Sequence, residues 1–119
     1  MAYKIQLPTH SDPRGKLTVI DKILPFEVKR AFMIYEVTAE RGGHRHLQCT
    51  QALIAVAGEV SVFCDNGIEK STYELKSPGE ALIVTPEDWH TMKFSPGSIL
   101  LSLASHHYEK SDYIHEGYS

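Results

Sequence analysis

The sequence predicts an all-β fold, on three observations. Short runs rich in β-branched and aromatic residues recur with turn residues between them every ~8 to 12 positions. Apolar residues at helical spacing are almost absent. Gly58 and the corner Asp65-Asn66-Gly67 carry hairpin chemistry, because Asn-Gly readily takes the positive φ values of a tight primed turn. Such a pattern belongs to a sandwich or a barrel.

Taken in order, the first strand is expected at residues 3–7, followed by a loop at 8–15 that holds Pro8, Pro13 and Gly15. Residues 16–21 and 28–37 are the next two β-rich runs, on either side of a segment containing Pro25. A long strand is expected at 44–56, where apolar residues follow the glycine pair Gly42-Gly43. Gly58 then turns the chain into 59–65, and Asn66-Gly67 turns it into 68–75. Residues 80–84, 89–94 and 99–104 complete the set, separated by Pro86 and by Pro96-Gly97. The polar and aromatic tail from His106 to Ser119 has room for one helical turn around 109–114.

At 119 residues the chain reads as a single domain, 1–119, large enough to bury a core without disulfides or a structural metal. Its net charge of −3, with Lys and Arg spread along the chain, argues against nucleic acid as a partner, which would need a clustered basic face. The longest apolar stretches, 52–57 and 81–84, fall far short of a membrane span. Cys49 and Cys64 lie inside apolar runs and no secretory segment precedes them, so they read as reduced thiols of a cytoplasmic protein. A disulfide between them is the minor alternative.

Arg41-Gly42-Gly43-His44-Arg45-His46 places two imidazoles at i and i+2. Alternate side chains of a strand share a face, so His44 and His46 converge on one small volume while Arg45 points the other way. A lone histidine near a strand end reads as a satisfied polar residue. A His-x-His pair beside Arg41 and two glycines reads as a metal site or as proton-transfer chemistry.

A β-barrel with His-x-His opening a central strand, Gly58 after a hairpin, then Gly79, Pro86 and His90, resembles the cupin superfamily, whose fold is a double-stranded β-helix or jelly-roll barrel. In metal cupins the first motif supplies two His and a Glu, and the second supplies one more His. His44, His46 and His90 match that pattern, but Leu47-Gln48-Cys49-Thr50-Gln51 stands where the Glu is expected, and no glycine follows Pro86. Three imidazoles hold Zn²⁺ or Fe²⁺ with open positions. A metal-binding cupin, either a dioxygenase-type enzyme or a small-ligand sensor, is therefore the alternative reading.

A narrower resemblance covers nearly the full chain. Asp12-Pro13-Arg14-Gly15-Lys16-Leu17, Pro25-Phe26-Glu27-Val28-Lys29-Arg30, Arg41 to His46 with Gln51, Trp89-His90 and Ser111-Asp112-Tyr113-Ile114 are similar to the dTDP-sugar 3,4-ketoisomerases, the cupin group that includes WxcM-like C-terminal domains. The resemblance implies a metal-independent isomerase that needs no cofactor and turns dTDP-4-keto-6-deoxyglucose into a 3-keto sugar. That product would supply a transaminase in the making of 3-amino-3,6-dideoxyhexoses for surface glycans. It also implies a homodimer that exchanges N-terminal strands, here residues 3–7. Two positions depart from the pattern: Arg45 stands where a small residue is common, and Thr50 where a His commonly precedes the Gln.

The chemistry of the residues agrees with that implication. Moving a carbonyl one carbon along requires removing a proton beside it and returning one to the old carbonyl carbon, and histidine accepts and donates near neutral pH. His46, deeper along its strand, is expected as the base and His44 as relay or acid, with Tyr35 donating a hydrogen bond to the forming oxyanion. Arg14, Arg30 and Arg41 are the candidates to grip a diphosphate. Arg30 leads them because it interrupts a hydrophobic strand, where an unpaired charge is costly. Phe32 shares its face at i+2 and supports a pyrimidine ring. Gly43, Trp89 and His90 complete the expected substrate-binding set, with Trp89 and His90 closing the barrel mouth. His10, His106, His107 and His115 are expected in solvent.

Overall fold

The computed structural model of the chain describes residues 1–118. Its strands are β1 (Tyr3–Gln6), β2 (Thr9–Asp12), β3 (Gly15–Thr18), β4 (Arg30–Ile34), β5 (Arg41–His46), β6 (Gln51–Ala57), β7 (Val60–Asp65), β8 (Lys70–Leu75), β9 (Glu80–Val84), β10 (Trp89–Phe94), β11 (Ile99–Ala104) and β12 (Tyr113–Ile114). One turn of 3₁₀ helix, Lys110–Asp112, precedes β12. Two five-stranded sheets form, in the orders β1-β9-β6-β11-β4 and β12-β5-β10-β7-β8, while β2 pairs with β3 alone. Every pairing is antiparallel. This is the double-sheet jelly roll of the cupins.

Period-2 alternation aims one face of each strand at the space between the sheets. Leu53, Ala55, Leu82, Val84 and Leu100 of the first sheet meet Val60, Val62, Leu75 and Met92 of the second, and each large side chain so buried contributes about 1.5 to 3 kcal/mol. The first sheet is apolar on its outer face too. There Ile54, Ile83 and Leu103 are covered by Leu24 and Phe26 from the loop before β4. Strands buried on both faces read as continuous apolar runs, which is why 52–55 and 81–84 lack alternation. Toward one end the interior turns polar, with Gln51, Ser102, His46 and His90 all buried.

Several elements differ from the sequence reading. Residues 44–56 are two strands in two sheets: after His46 the chain leaves the β5 ladder, and the Leu47 and Gln48 N–H groups donate to the Asp112 carbonyl (2.9 Å) and carboxylate (2.8 Å). The expected loop at 8–15 contains β2, folded back on β3, and β3 stops at Thr18. The 28–37 run is strand only over Arg30–Ile34, since Glu36 takes a left-handed φ of 54°. At the Asn66 corner only Gly67 has positive φ, at 90°, so no primed two-residue turn forms. Asn66 Oδ1 instead accepts hydrogen bonds from the Ile68 and Glu69 N–H groups across a wider loop.

Within the single chain the N-terminal strand β1 pairs with β9, Tyr3 opposite Ile83 and Gln6 opposite Glu80. Ala2 and Leu7, on either side of it, are buried in the two apolar clusters, and this anchors it there. Cys49 and Cys64 are both free and buried. No described helix is long and apolar enough to cross a membrane.

Candidate active site

The site begins with a β-bulge. Gly42 and Gly43 lie within β5 at φ 92° and 79°, and the register against β10 slips between them, so that His44 faces His90 and Gly42 faces Thr91. One extra residue on a strand re-aims the side chains that follow it. A side chain at Gly42 would put its Cβ 2.7 Å from the His90 carbonyl oxygen, so only glycine fits there. The glycine pair is therefore part of the strand that carries the histidines.

His44 and His46 share the inner face as their spacing predicts. The His44 ring centroid lies 5.1 Å from that of His46 and 5.0 Å from that of His90. On the far side of β5, β12 sets Tyr113 opposite His46, and the phenol ring sits 4.5 Å from His46 and 4.8 Å from His44. His46 Nδ1–H donates to Asp112 Oδ2 at 2.9 Å, while Asp112 Oδ1 accepts the Gln48 N–H at 2.8 Å. An ionised carboxylate only accepts, so the imidazole proton is held on Nδ1. His46 Nε2 is left with its lone pair, buried and without a partner.

Burial sets the protonation of the cluster. It pushes the His44 pKa down to about 4, helped by the neighbouring His90 and His46 rings. It lowers His46 as well, against the opposing pull of Asp112, and it lowers His90, whose Nδ1–H donates to the Asp88 carbonyl. Burial works against the Asp112 charge, but the Gln48 N–H and His46 outweigh it and hold the carboxyl below its ordinary value. Near neutral pH the three imidazoles are thus uncharged beside an ionised Asp112.

His44, His90 and Tyr113 line a cavity of about 180 Å³, together with Phe32 and Ile34 of β4, Gln51 and Leu53 of β6, and Arg41, while His46 stands behind His44 and outside this lining. Pockets that enclose a drug-sized ligand run to ~300–1,000 Å³, so this one takes a single small ring. Arg30 is half-buried; its guanidinium lies 4.9 Å from the Phe32 ring centroid and its Nε has no partner. Gly43 belongs to the bulge that brings Arg41 to the rim.

Three expected site residues lie elsewhere. Tyr35 is 58% exposed: in β4 the inner positions are Arg30, Phe32 and Ile34, so the next residue points outward. Arg14 is 90% exposed at the β2–β3 tip, paired with Asp12 at 2.7 Å. Trp89 alternates with the inward His90 and holds the tail instead, its Nε1–H donating to the His115 carbonyl. Conversely Asp112, Tyr113 and Gln51 enter the site with no assigned role in the sequence reading, and His115 brings its ring within 6.1 Å of His44. Their sequence signals were the Asp-Tyr pair of the tail block and the position of Gln51 opening a buried strand.

The metal reading does not assemble. Among the described residues, the group of three or more potential ligands with donor atoms within 4.8 Å of one another is His46, Cys49 and Asp112. His44 and His90 are not part of it.

Residues 2–119 match the family model described as FdtA, WxcM-like, C-terminal. The chain belongs to this family. A curated relative, the TDP-4-oxo-6-deoxy-alpha-D-glucose-3,4-oxoisomerase of Aneurinibacillus thermoaerophilus, is 36% identical over 110 residues, which are 88% of this chain and 79% of that protein. Among family structures, the sugar 3,4-ketoisomerase QdtA of Thermoanaerobacterium thermosaccharolyticum in complex with TDP is 35% identical. It aligns with a TM-score of 0.92 over 97% of this chain and 88% of its own. The WlaRB TDP-quinovose 3,4-ketoisomerase of Campylobacter jejuni is 32% identical, with a TM-score of 0.92 over 97% and 92% of the two chains.

Proposed function

We propose that the chain is a TDP-sugar 3,4-ketoisomerase that converts TDP-4-keto-6-deoxyglucose into its 3-keto isomer through an enediolate. The observation that carries the reading is the His46–Asp112 pair, which leaves Nε2 bare and buried beside His44 and Tyr113, two residues that line a cavity of about 180 Å³. His46 Nε2 takes the proton from C3, and the electron pair flows onto the C4 oxygen. The Tyr113 phenol and His44 face that developing charge, where a placed donor is worth most. His44 relays the C3 hydroxyl proton toward the C4 oxygen, and the His46 imidazolium gives a proton to C4, which restores the base. One carbonyl has then moved one carbon with no net change in composition.

Arg30 and Arg41 grip the diphosphate outside the small cavity, and Phe32 supports the base. The product feeds a transaminase that makes 3-amino-3,6-dideoxy sugars for surface glycans. The enzyme works in the cytoplasm as a homodimer, in which the β2–β3 hairpin, rather than β1, is the exchanged element and carries Arg14. In support, that hairpin bonds to no other strand of its own chain. The test is incubation with TDP-4-keto-6-deoxyglucose in deuterated water, with the product trapped by a 3-keto-specific transaminase. A deuterated 3-amino sugar is expected, and failure to form it overturns the assignment.

A further inference from the structure

Behind His46 lies a second set of donors. The His46 imidazole, the Cys49 thiol and the Asp112 carboxylate come from β5, the β5–β6 turn and the 3₁₀ turn, and one ligand atom of each lies within 4.8 Å of the other two. His46 and Cys49 are 2% and 3% exposed. A cavity of about 400 Å³ reaches Asp112, bordered by Gln48 of the turn and by His106, His107 and Glu109 of the tail. It shares no residue with the wall of the catalytic cavity. The isomerase chemistry uses neither Cys49 nor this second cavity.

We propose that these three residues form an inhibitory site for a divalent transition-metal ion of the Zn²⁺ type, held by His46 Nδ1, the Cys49 thiolate and one Asp112 oxygen. Imidazole, thiolate and carboxylate are the ligand types Zn²⁺ selects. Tetrahedral bonds of about 2.0 to 2.3 Å set the donors about 3.3 to 3.8 Å apart, so side chains already gathered within 4.8 Å close by small rotations. His106, His107 and Glu109 line the approach and offer ligands to a cation shedding its water. Of the three ligands, Asp112 borders that cavity.

Binding there acts on the tautomer. The Cys49 proton leaves to solvent. His46 gives its Nδ1 lone pair to the ion, so in the neutral ring the proton moves to Nε2, and Asp112 trades its hydrogen bond for the metal. The nitrogen facing the sugar becomes a donor and can no longer accept the C3 proton. The catalytic cavity stays open, so kcat falls while KM for the nucleotide sugar holds. This consequence rests on His46 as the base.

The test titrates the intact protein with Co²⁺ near neutral pH, reading the thiolate-to-cobalt charge-transfer band, and then assays isomerisation with Zn²⁺. One Co²⁺ per chain with a thiolate band is expected, and saturating Zn²⁺ lowers kcat by roughly 10²-fold or more, the scale of a lost general base, reversibly with EDTA. Cys49→Ser and Cys49→Ala lose the band, resist the inhibiting Zn²⁺ concentration and keep their metal-free turnover. Absence of a thiolate band on the wild-type protein overturns the site, as does equal Zn²⁺ inhibition of both Cys49 variants. A thiolate band with undiminished turnover upholds the site but overturns the inhibition, and with it His46 as the base.

Discussion

Tyr113 lies directly across the β12–β5 ladder from His46, its ring centroid 4.5 Å from the imidazole. The two-residue strand β12 thereby brings a phenol to the buried His46 imidazole. Tyr113→Phe removes only the hydroxyl and keeps the ring packing. It should lower kcat by about 10² to 10³, the scale of one oxyanion donor, with TDP affinity and Tm unchanged. Steady-state assay with TDP-4-keto-6-deoxyglucose checks it, and wild-type kcat in the variant would leave the phenol without a part in the chemistry.

Asp112→Asn probes the tautomer directly. The amide is uncharged, and with its NH₂ toward His46 it donates to Nδ1 and drives the proton onto Nε2, where the base is needed. A fall in kcat of about 10² to 10⁴ is expected, with KM little altered because Asp112 lies outside the catalytic cavity wall. A variant that loses KM and keeps kcat would show Asp112 to be a substrate contact and not a positioning residue.

The histidine pair was legible in the sequence because period 2 is a local property: His44 and His46 share a face in any strand. The same parity, applied strictly, would have removed Tyr35, which follows the inward Arg30, Phe32 and Ile34, and Trp89, which alternates with His90. The glycine pair was visible, but its bulge depends on the neighbouring register and not on any local pattern. Asp112 and Tyr113 lay beyond such reasoning. A two-residue strand has no periodicity, and only the closed fold brings the tail against β5. The place of β1 was ambiguous for a different reason: an edge strand makes the same ladder bonds with its own sheet or with a partner's.

Burial of the imidazoles makes stability depend on pH. Folding lowers the His44 pKa from 6.5 to about 4, so as pH drops the unfolded chain takes up a proton that the folded chain refuses. The stabilisation is full above 6.5 and is lost progressively down to about 4. His46 and His90 are shifted in the same direction and reinforce the trend. Calorimetry should find a Tm that falls between about pH 7 and pH 5. A Tm independent of pH over that window would contradict neutral buried imidazoles.

Arg30 sits half-buried against Phe32 with its Nε unpartnered. An anionic diphosphate would supply the missing acceptors. Arg30→Ala should weaken TDP binding by roughly 1.5 to 3 kcal/mol, the scale of a charge-assisted hydrogen bond, as read by isothermal titration. The neutral sugar without its diphosphate should bind poorly to both proteins. Equal TDP affinity in the variant would take Arg30 out of the nucleotide site.

The β2–β3 hairpin gives the last prediction. Its strands bond only to each other, all of β2 is exposed, and Leu17 is 61% exposed. A lone two-stranded ribbon is marginal in water, and in the proposed homodimer its open edges are covered by laying the hairpin on a second copy under two-fold symmetry. At its base the Val19 N–H donates to the Pro8 carbonyl at 2.8 Å, so a two-glycine turn can replace residues 9–18 without stretching the barrel. The shortened chain should fold with β1 still on β9 but sediment as a monomer. Its affinity for TDP should drop roughly tenfold, about 1.4 kcal/mol, because Arg14 no longer reaches the partner's cavity. If it instead sediments as a dimer and binds TDP as the full chain does, the hairpin takes no part in either assembly or nucleotide binding.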